Sequence, residues 1–211
     1  MTWLATDPND PALGGNVIGG DPNTFHPALW SYVIERFEIK SVLDVGCGEG
    51  HCVQYFKSLG IHACGFDGLK SNIKRAVVPI AWHDLRRGPF IDPVDLVHCC
   101  ELVEHVEERF LSNLLRTLAN GRVIVMTHAL PGQTGYHHVN CQPSHYWIEK
   151  IESFGYRFLD QETEEGKTRI TASGTWTYFV QSGLILERQP SGTWLDRVIA
   201  WSRLTKFGKQ K

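Results

Sequence analysis

The chain has 211 residues, and its 42% hydrophobic content is enough for one α/β domain with a full core but too little for two large domains. Its formal net charge of −2 lacks the global basic field that drives nucleic-acid affinity, so nucleic acid is not an expected partner. No apolar run has membrane-spanning length, and residues 1–10 have no signal-peptide pattern. The six cysteines show neither a C-x-x-C pair nor zinc spacing, which is typical of reduced thiols in a cytoplasmic protein.

The first hundred residues predict an arm followed by alternating helices and strands. Residues 1–24 are rich in Gly, Pro, Asn and Asp without periodicity, and we take residues 1–30 as an N-terminal arm or lid. From there, apolar spacing and β-branched runs predict, in chain order, a helix over Pro27–Phe37, a strand over Val42–Val45, a helix over Gly50–Leu59, and strands over Ile61–Phe66, Val77–Trp82 and Val94–Cys100.

The second half continues this alternation. It predicts, in chain order, a long amphipathic helix over Glu104–Leu118, a strand over Arg122–Thr127, a helix over Ser144–Phe154 closed by Gly155, and strands over Tyr156–Leu159 and Ser182–Glu187. Strands that alternate with helices predict an α/β fold, with a mostly parallel seven-stranded sheet covered by helices on both faces. One domain therefore spans residues 31–190, and residues 191–211 form a tail in which the apolar spacing from Trp194 predicts a helix.

Alternating glycines follow the first predicted strand, in the segment 41–50 with the sequence SVLDVGCGEG. Glycines at such a turn remove Cβ atoms, so a ligand can lie against the backbone. A phosphate-binding dinucleotide loop has the spacing G-x-G-x-x-G. This loop has the spacing G-x-G-x-G, with Asp44 and Glu49 beside it. Two acids would repel a pyrophosphate, so the loop favours a cationic ligand.

Acidic residues also follow the next predicted strands. Asp67 ends the second strand, about 20 residues after the glycine loop, and Asp84 follows the third. The fourth strand ends in Cys99, Cys100 and Glu101. Alone, Asp67 or Asp84 is better explained as a helix N-cap or a turn acid. Their order at successive strand ends indicates a binding site, because ligands of such sheets lie beyond the carboxyl ends of the strands.

On these residues the chain resembles the class I S-adenosylmethionine-dependent methyltransferases, which have a Rossmann-like fold, and in particular O-methyltransferases of glycan and natural-product pathways. The resemblance covers residues 40–130 closely and 131–188 loosely. It implies S-adenosylmethionine as the cofactor, with acids at the ammonium group, the ribose and the adenine. The cofactor-binding residues that it implies are Asp44, Gly46, Cys47, Gly48, Glu49, Gly50, Asp67, Gly68, Asp84, Leu85 and Cys100.

A first candidate for the chemistry is the cluster Glu101, Glu104 and His105. On a helix start, residues three and four apart lie on one face, and carboxylates with an imidazole suit Mg²⁺ or another divalent cation. The cluster is similar to that of metal-dependent small-RNA 2′-O-methyltransferases and ubiquinone-pathway O-methyltransferases. The alternative is an acidic helix N-terminus stabilised by the helix dipole.

A second candidate is the loop after the fifth strand, which contains His137 and His138. Either histidine can be a general base or a metal ligand, and we expect His138, with His137 as the alternative, to act together with Glu101. His138 is also the fourth expected metal ligand. The residues expected to face the acceptor are the aromatic and imidazole side chains near the mouth of the site: Phe25, His26, Trp30, Tyr136 and Tyr146.

The predicted function is S-adenosylmethionine-dependent transfer of a methyl group to a hydroxyl of a small-molecule or glycan acceptor, with metal assistance as an option. One alternative is an RNA-terminal 2′-O-methyltransferase, which needs a positive groove. The other is a non-catalytic S-adenosylmethionine-binding partner subunit. A compact pocket at Gly135–His138 favours the enzyme, and a flat surface there favours the binding subunit. The acceptor and the oligomeric state are left open by the sequence.

Overall fold

The computed structural model describes residues 12–15 and 17–189, so the predicted tail helix and the first part of the arm lie outside the described residues. The strands of the described part are β1 (Ser41–Val45), β2 (His62–Asp67), β3 (Ala81–Trp82), β4 (Val94–Cys99), β5 (Gly121–Met126), β6 (Tyr156–Phe158) and β7 (Leu184–Arg188). They form one sheet in the order β3-β2-β1-β4-β5-β7-β6. Strand β7 runs in the opposite direction to the other six strands. The predicted α/β fold with a mostly parallel seven-stranded sheet is confirmed.

Helices cover both faces of this sheet. They are α1 (Pro27–Phe37), α2 (His51–Ser58), α3 (Lys70–Arg75), α4 (Leu111–Leu118), α5 (Ser144–Glu152), α6 (Asp160–Ala172) and α7 (Tyr178–Ser182). Helix α1 has the predicted bounds, and Pro27 occupies its first turn, where no amide donor is needed. None of the helices among the described residues is both long and apolar enough to cross a bilayer.

The side chains of each strand alternate between two apolar cores. In β1, Leu43 and Val45 enter the core that α4 and α5 cover, whereas Val42 enters the core that α1, α2, α6 and α7 cover. Asp44 lies on the same side of the strand as Val42, at the end where β1 enters the glycine loop. The sheet order reverses direction between β1 and β4, and this is the switch point at which open α/β sheets bind ligands.

The predicted helix Glu104–Leu118 is wrong in its first half. Two short 3-10 turns occupy Val103–His105 and Glu108–Phe110, and the regular helix begins only at Leu111. The carbonyl of Glu104 accepts hydrogen bonds from the amides of Val139 and Asn140, so it is not used for a helical bond. Hydrogen bonds from the loop after β5 therefore take the place of those that would form the first turns of the predicted helix.

Helices α3, α6 and α7 were not predicted from the sequence, and the strand predicted at β3 is longer than the observed one. The helix α6 has few apolar residues on any face, and only Thr163, Gly166 and Ile170 are buried. Helices α3 and α7 have six and five residues, too few for a periodic signal. The strand predicted over Val77–Trp82 is reduced to β3, an exposed pair at the sheet edge.

Candidate functional site

A cavity of about 600 Å³ opens at the carboxyl ends of β1, β2 and β4. Its walls are the glycine loop, the turns after β2 and β3, the segment after β4, the loop after β5, and the described part of the N-terminal arm. This volume is within the range of sites that enclose a small organic ligand. The cavity therefore lies where the strand order predicts the functional site.

Most of the residues predicted to bind the cofactor line this cavity. They are Asp44, Gly46, Cys47, Gly48, Glu49, Asp67, Gly68, Asp84, Leu85 and Cys100. Gly50 is not among the lining residues. Its backbone is left-handed, with φ of +84°, and a Cβ there would lie 3.0 Å from a methyl group of Ile80. Gly50 therefore shapes the turn into α2 without contacting the cavity.

The glycine loop presents backbone to the cavity because its turn is closed by hydrogen bonds to β2. The amides of Gly46 and Cys47 both donate to the carbonyl of Phe66, each at 3.0 Å. Gly46 has φ of +73°, and a Cβ there would lie 2.8 Å from the side chain of Leu102. A side chain at this position is therefore excluded both by conformation and by space.

The carboxylate of Asp67 is fixed by two backbone amides. The amide of Gly48 donates to Oδ2 at 2.9 Å, and the amide of Leu69 donates to Oδ1 at 2.8 Å. Burial raises the pKa of Asp67 to about 6, although these hydrogen bonds oppose the shift. The side chain of Asn72 is a third hydrogen-bond partner of this carboxylate. A carboxylate has about four acceptor positions, so capacity remains to accept from a hydroxyl of a ligand.

The two acids of the glycine loop have different surroundings. Glu49 accepts from Nε of Arg75 at 2.6 Å and from the amide of Gly19 at 3.1 Å, so it ties the arm to the loop. Asp44 receives a hydrogen bond from Nδ1 of His98 at 2.7 Å on Oδ1, and its Oδ2 has no hydrogen-bond partner among the described residues. Of these two carboxylates, only that of Asp44 has an oxygen without a hydrogen-bond partner among the described residues, and this oxygen is available to a cationic ligand.

Asp84 and Cys100 also line the cavity. Asp84 caps a short 3-10 turn by accepting from the amide of Arg86, and it also accepts from the guanidinium of that residue. The thiol of Cys100 lies 3.2 Å from the hydroxyl of Thr127 and 3.4 Å from Nε2 of His26. Burial raises the pKa of the Cys100 thiol, which is therefore protonated.

Three potential metal ligands meet at the end of the cavity near β4. Ligand atoms of Glu104, His105 and His138 lie within 4.8 Å of one another. Nδ1 of His105 donates to the carbonyl of His137 at 3.2 Å, and Nδ1 of His138 donates to the carbonyl of Gln133 at 3.1 Å. A carbonyl accepts only, so each ring carries its proton on Nδ1 and keeps a lone pair on Nε2.

The carboxylate of Glu104 fits a cation at this position. The residue is fully buried, and neither oxygen has a hydrogen-bond partner among the described residues. Burial and the charge of Glu101 hold the pKa of Glu104 well above its usual range, and burial lowers the pKa of His105 to about 4. A buried unpaired carboxylate is costly unless it neutralises or binds a cation, and two imidazole nitrogens complete a plausible ligand set.

Glu101 and His137 lie beside this group but not in it. A carboxylate oxygen of Glu101 accepts from the hydroxyl of Thr127 at 2.8 Å, and burial raises the pKa of Glu101 to about 7. Glu101 has φ of +50° and lines the cavity. His137, with φ of +51°, does not line the cavity, and its contribution is the carbonyl that fixes His105.

The residues predicted to face the acceptor separate into two groups. Phe25 and Tyr136 line the cavity. Trp30 and His26 are buried in the core beneath it, because α1 packs onto the sheet through these side chains. Tyr146 is also outside the cavity, where its hydroxyl donates to Glu108 and its ring packs against a neighbouring tryptophan. The structure therefore does not place Trp30, His26 or Tyr146 in the wall of the cavity.

Sequence reasoning missed His98 and the individual contacts of the predicted lid. His98 was not singled out, although it is paired with Asp44 in the register of β1 and β4 and therefore lies on the same face. The arm closes over the site: Leu13 packs near Gly68, and a Cβ at Gly14 would lie 2.5 Å from Cγ of His105. No periodic pattern in the arm could have indicated these contacts.

Comparison with known proteins agrees with this geometry. Residues 25–178 match the family model described as a methyltransferase domain. Ubiquinone biosynthesis O-methyltransferase of Rickettsia typhi is 31% identical over 115 residues, which is 46% of this chain and 47% of that protein. The chain thus spans about half the length of the curated relatives that it matches.

Solved structures show the same fold at low identity. A SAM-dependent methyltransferase from Archaeoglobus fulgidus superposes with a TM-score of 0.56 and 18% identity, over 81% of this chain and 96% of that one. PKMT2 from Rickettsia typhi, solved in complex with AdoHcy, superposes with a TM-score of 0.55 and 13% identity, over 80% of this chain and 54% of that one. These likenesses establish a class I methyltransferase fold.

Proposed function

The chain belongs to the methyltransferase domain family, and on this premise we propose that it transfers the methyl group of S-adenosylmethionine to a hydroxyl of a small-molecule or carbohydrate acceptor, assisted by a divalent cation. The observation that carries the proposal is the group Glu104, His105 and His138, which opens into the same cavity as the glycine loop. The similarity to O-methyltransferases of ubiquinone biosynthesis supports oxygen as the acceptor atom.

The proposed cofactor orientation follows from the walls of the cavity. The backbone of Gly46 and Gly48 lies against the methionine part, and Asp44 offers Oδ2 to its ammonium group. Asp67 accepts from the ribose hydroxyls, and the wall at Asp84 and Leu85 holds the adenine. This orientation directs the sulfonium methyl group towards the histidines of the loop after β5.

The reaction is an in-line displacement at the methyl carbon. The acceptor oxygen forms a bond to this carbon as the carbon–sulfur bond breaks, and S-adenosylhomocysteine leaves with the electron pair on sulfur. The hydroxyl proton must be removed, since a neutral alcohol is a much poorer nucleophile than an alkoxide. A divalent cation held by Glu104, His105 and His138 would lower the pKa of the bound hydroxyl. Glu101 lines the same cavity and is the nearest further carboxylate to receive the proton.

The compact shape of the site supports an enzyme over a cofactor-binding subunit. Gly135, Tyr136 and His138 form part of the cavity wall. The ring of His138 lies against Gly135 so closely that a Cβ there would overlap it. A subunit that only bound the cofactor would have no need of an enclosed space with metal ligands beyond the sulfonium.

The test is a screen of acceptor pools with methyl-labelled S-adenosylmethionine. Separate pools contain vicinal diphenols, sugars and short RNA, and each is assayed with EDTA, with Mg²⁺ and with other divalent cations. We expect cation-dependent labelling of an oxygen in the diphenol or sugar pool, with the position assigned by mass spectrometry. Labelling of RNA alone would favour the RNA-terminal alternative. Cofactor binding without transfer to any pool would favour the binding subunit.

A further inference from the structure

We propose that His98 is a positioning residue for the cofactor: it holds the carboxylate of Asp44 so that the second oxygen faces the ammonium group of S-adenosylmethionine. The inference rests on the proposed function, because it takes S-adenosylmethionine to be the ligand of the cavity. His98 belongs to β4 and lies outside the glycine loop, the acidic residues at the strand ends and the group Glu104, His105 and His138.

The geometry of the pair is defined by the sheet. Asp44 and His98 are partners in the register of the parallel strands β1 and β4, so both side chains point to the same face. Nδ1 of His98 lies 2.7 Å from Oδ1 of Asp44, and the side chains are 2% and 4% exposed. Both residues line the cavity. The remaining oxygen, Oδ2 of Asp44, has no hydrogen-bond partner among the described residues.

The imidazole of His98 is held in place by aromatic rings. Trp30 meets it edge to face with the centroids 5.5 Å apart, and Phe56 does so at 6.4 Å. His26 closes the third side at 6.2 Å. Since these rings belong to the packed core of α1 and α2, the imidazole keeps its orientation, and its N–H direction determines which carboxylate oxygen of Asp44 is used.

The unpaired oxygen points to a cationic ligand. A buried carboxylate oxygen without a donor is unfavourable, and a ligand ammonium supplies that donor together with a compensating charge. Glu49 is less suited to this role, because both of its oxygens already accept hydrogen bonds and the guanidinium of Arg75 already balances its charge. Asp44 is thus the acid of the glycine loop that the structure leaves available.

A metal ion between the two residues is a weaker explanation. Ligand atoms of Asp44, Cys52 and His98 lie within 4.8 Å of one another. However, 2.7 Å between Nδ1 and Oδ1 is a hydrogen-bond distance, so a proton lies between these two atoms. The thiol of Cys52 is protonated, because burial raises its pKa well above the usual range.

The test compares two ligands on variants of His98. S-adenosylhomocysteine carries the ammonium group, and 5′-methylthioadenosine has the same nucleoside and sulfur without the amino-acid part. Calorimetry on His98→Leu should show at least about tenfold weaker S-adenosylhomocysteine binding, because the hydrogen bond that orients a charged group is lost. The affinity for 5′-methylthioadenosine should be unchanged. His98→Asn places an amide N–H near the position of the Nδ1–H and should restore most of the lost affinity.

The matched control is His128→Leu. His128 is an equally buried histidine at the end of β5, hydrogen-bonded to Ser144 and absent from the cavity wall. This variant should bind both ligands as the unmodified chain does. If His98→Leu does not fold, as judged by its thermal unfolding, His98→Gln provides the same contrast, since its amide lies one bond farther along the side chain.

The outcomes separate the inference from the proposed function. Selective loss of S-adenosylhomocysteine affinity, with rescue by His98→Asn, supports the inference. Equal weakening of both ligands, or no change in either, overturns it and leaves the proposed function intact. An unmodified chain that binds neither ligand overturns the proposed function and the inference together.

Discussion

The imidazole rings of His105 and His138 meet edge to face with their centroids 5.0 Å apart, and a backbone carbonyl fixes the proton of each ring on Nδ1. The first histidine follows β4 and the second lies in the loop after β5, so two separate segments converge on one point. The fully buried carboxylate of Glu104 completes the group. The following predictions test this group and the cofactor site independently.

Removal of the Asp67 carboxylate should weaken cofactor binding. In Asp67→Ala, two ribose hydroxyls lose their acceptor, and the affinity for S-adenosylhomocysteine should fall by more than about tenfold. Titration calorimetry measures this directly. Asp160→Ala, at the exposed start of α6, is the control and should bind as the unmodified chain does. Unchanged affinity in Asp67→Ala would refute the assignment of this residue to the ribose.

The cofactor affinity should depend on pH through the same residue. Because burial raises the pKa of Asp67 to about 6, the carboxyl gains a proton as the pH falls through that value. The protonated form has lost a charge and an acceptor site, so affinity should be constant above pH 7 and should decrease below pH 6. Asp67→Asn should lack this decrease. Identical pH profiles for the two proteins would assign the effect to another group.

Replacement of Glu104 should separate folding from metal binding. The buried carboxyl group has no hydrogen-bond partner among the described residues, and burial raises its pKa and so disfavours its charged form, so the neutral Glu104→Gln should be at least as stable to heat as the unmodified chain. A divalent cation at one hundred times its dissociation constant should stabilise the unmodified chain by about 2.7 kcal/mol and should not stabilise the variant. Calorimetric unfolding with and without Mg²⁺ gives both quantities. Glu149→Gln, on the exposed side of α5, should respond to Mg²⁺ like the unmodified chain. Full activity after exhaustive chelation would exclude the metal.

His138 should be required for turnover and dispensable for cofactor binding. In the proposed mechanism its imidazole is a ligand of the cation that activates the acceptor hydroxyl, so His138→Ala should lower the turnover by roughly 10²-fold, the order of a proton-transfer contribution. The affinity for S-adenosylhomocysteine should stay constant, because the glycine loop and Asp67 supply that binding. His145→Ala, an exposed histidine at the start of α5, is the control. Loss of turnover in His137→Ala alone would transfer the role to that residue.

Gly135 should affect turnover because the absence of a side chain at this position leaves room for the imidazole ring of His138. A Cβ at position 135 would overlap the imidazole ring, so Gly135→Ala should displace His138 and lower the turnover while cofactor affinity is retained. Gly132→Ala is the control in the same loop: its Cβ would meet open space, although its φ of +83° makes the variant somewhat less stable. Equal turnover in both variants would show that the position of His138 does not matter.

Patterns that depend on neighbours in the sequence predicted, up to the strand ends, which residues line the cavity. The glycine loop and Asp67 follow directly from buried apolar runs, and the position of each strand end in a parallel sheet is fixed by topology. The helix predicted from Glu104 was wrong because its first turns exchange hydrogen bonds with residues after β5, which no local pattern contains.

Contacts between distant segments account for the rest. His98 resembles an ordinary polar interruption of an apolar strand until the register with β1 pairs it with Asp44. The arm has no periodicity, yet Gly14 packs against His105 and Gly19 donates to Glu49. Such contacts are specified by shape and by single hydrogen bonds, so they become visible only in three dimensions.

The alternation of side chains along β1 has a consequence for insertions and deletions. A shift of this strand by one residue would exchange its two faces, so Asp44 would enter the apolar core beneath α4 and α5 while Leu43 or Val45 would meet His98. The same shift would bury a charge without a partner and remove it from the cavity. Length changes inside β1 should therefore damage the fold and the chemistry together.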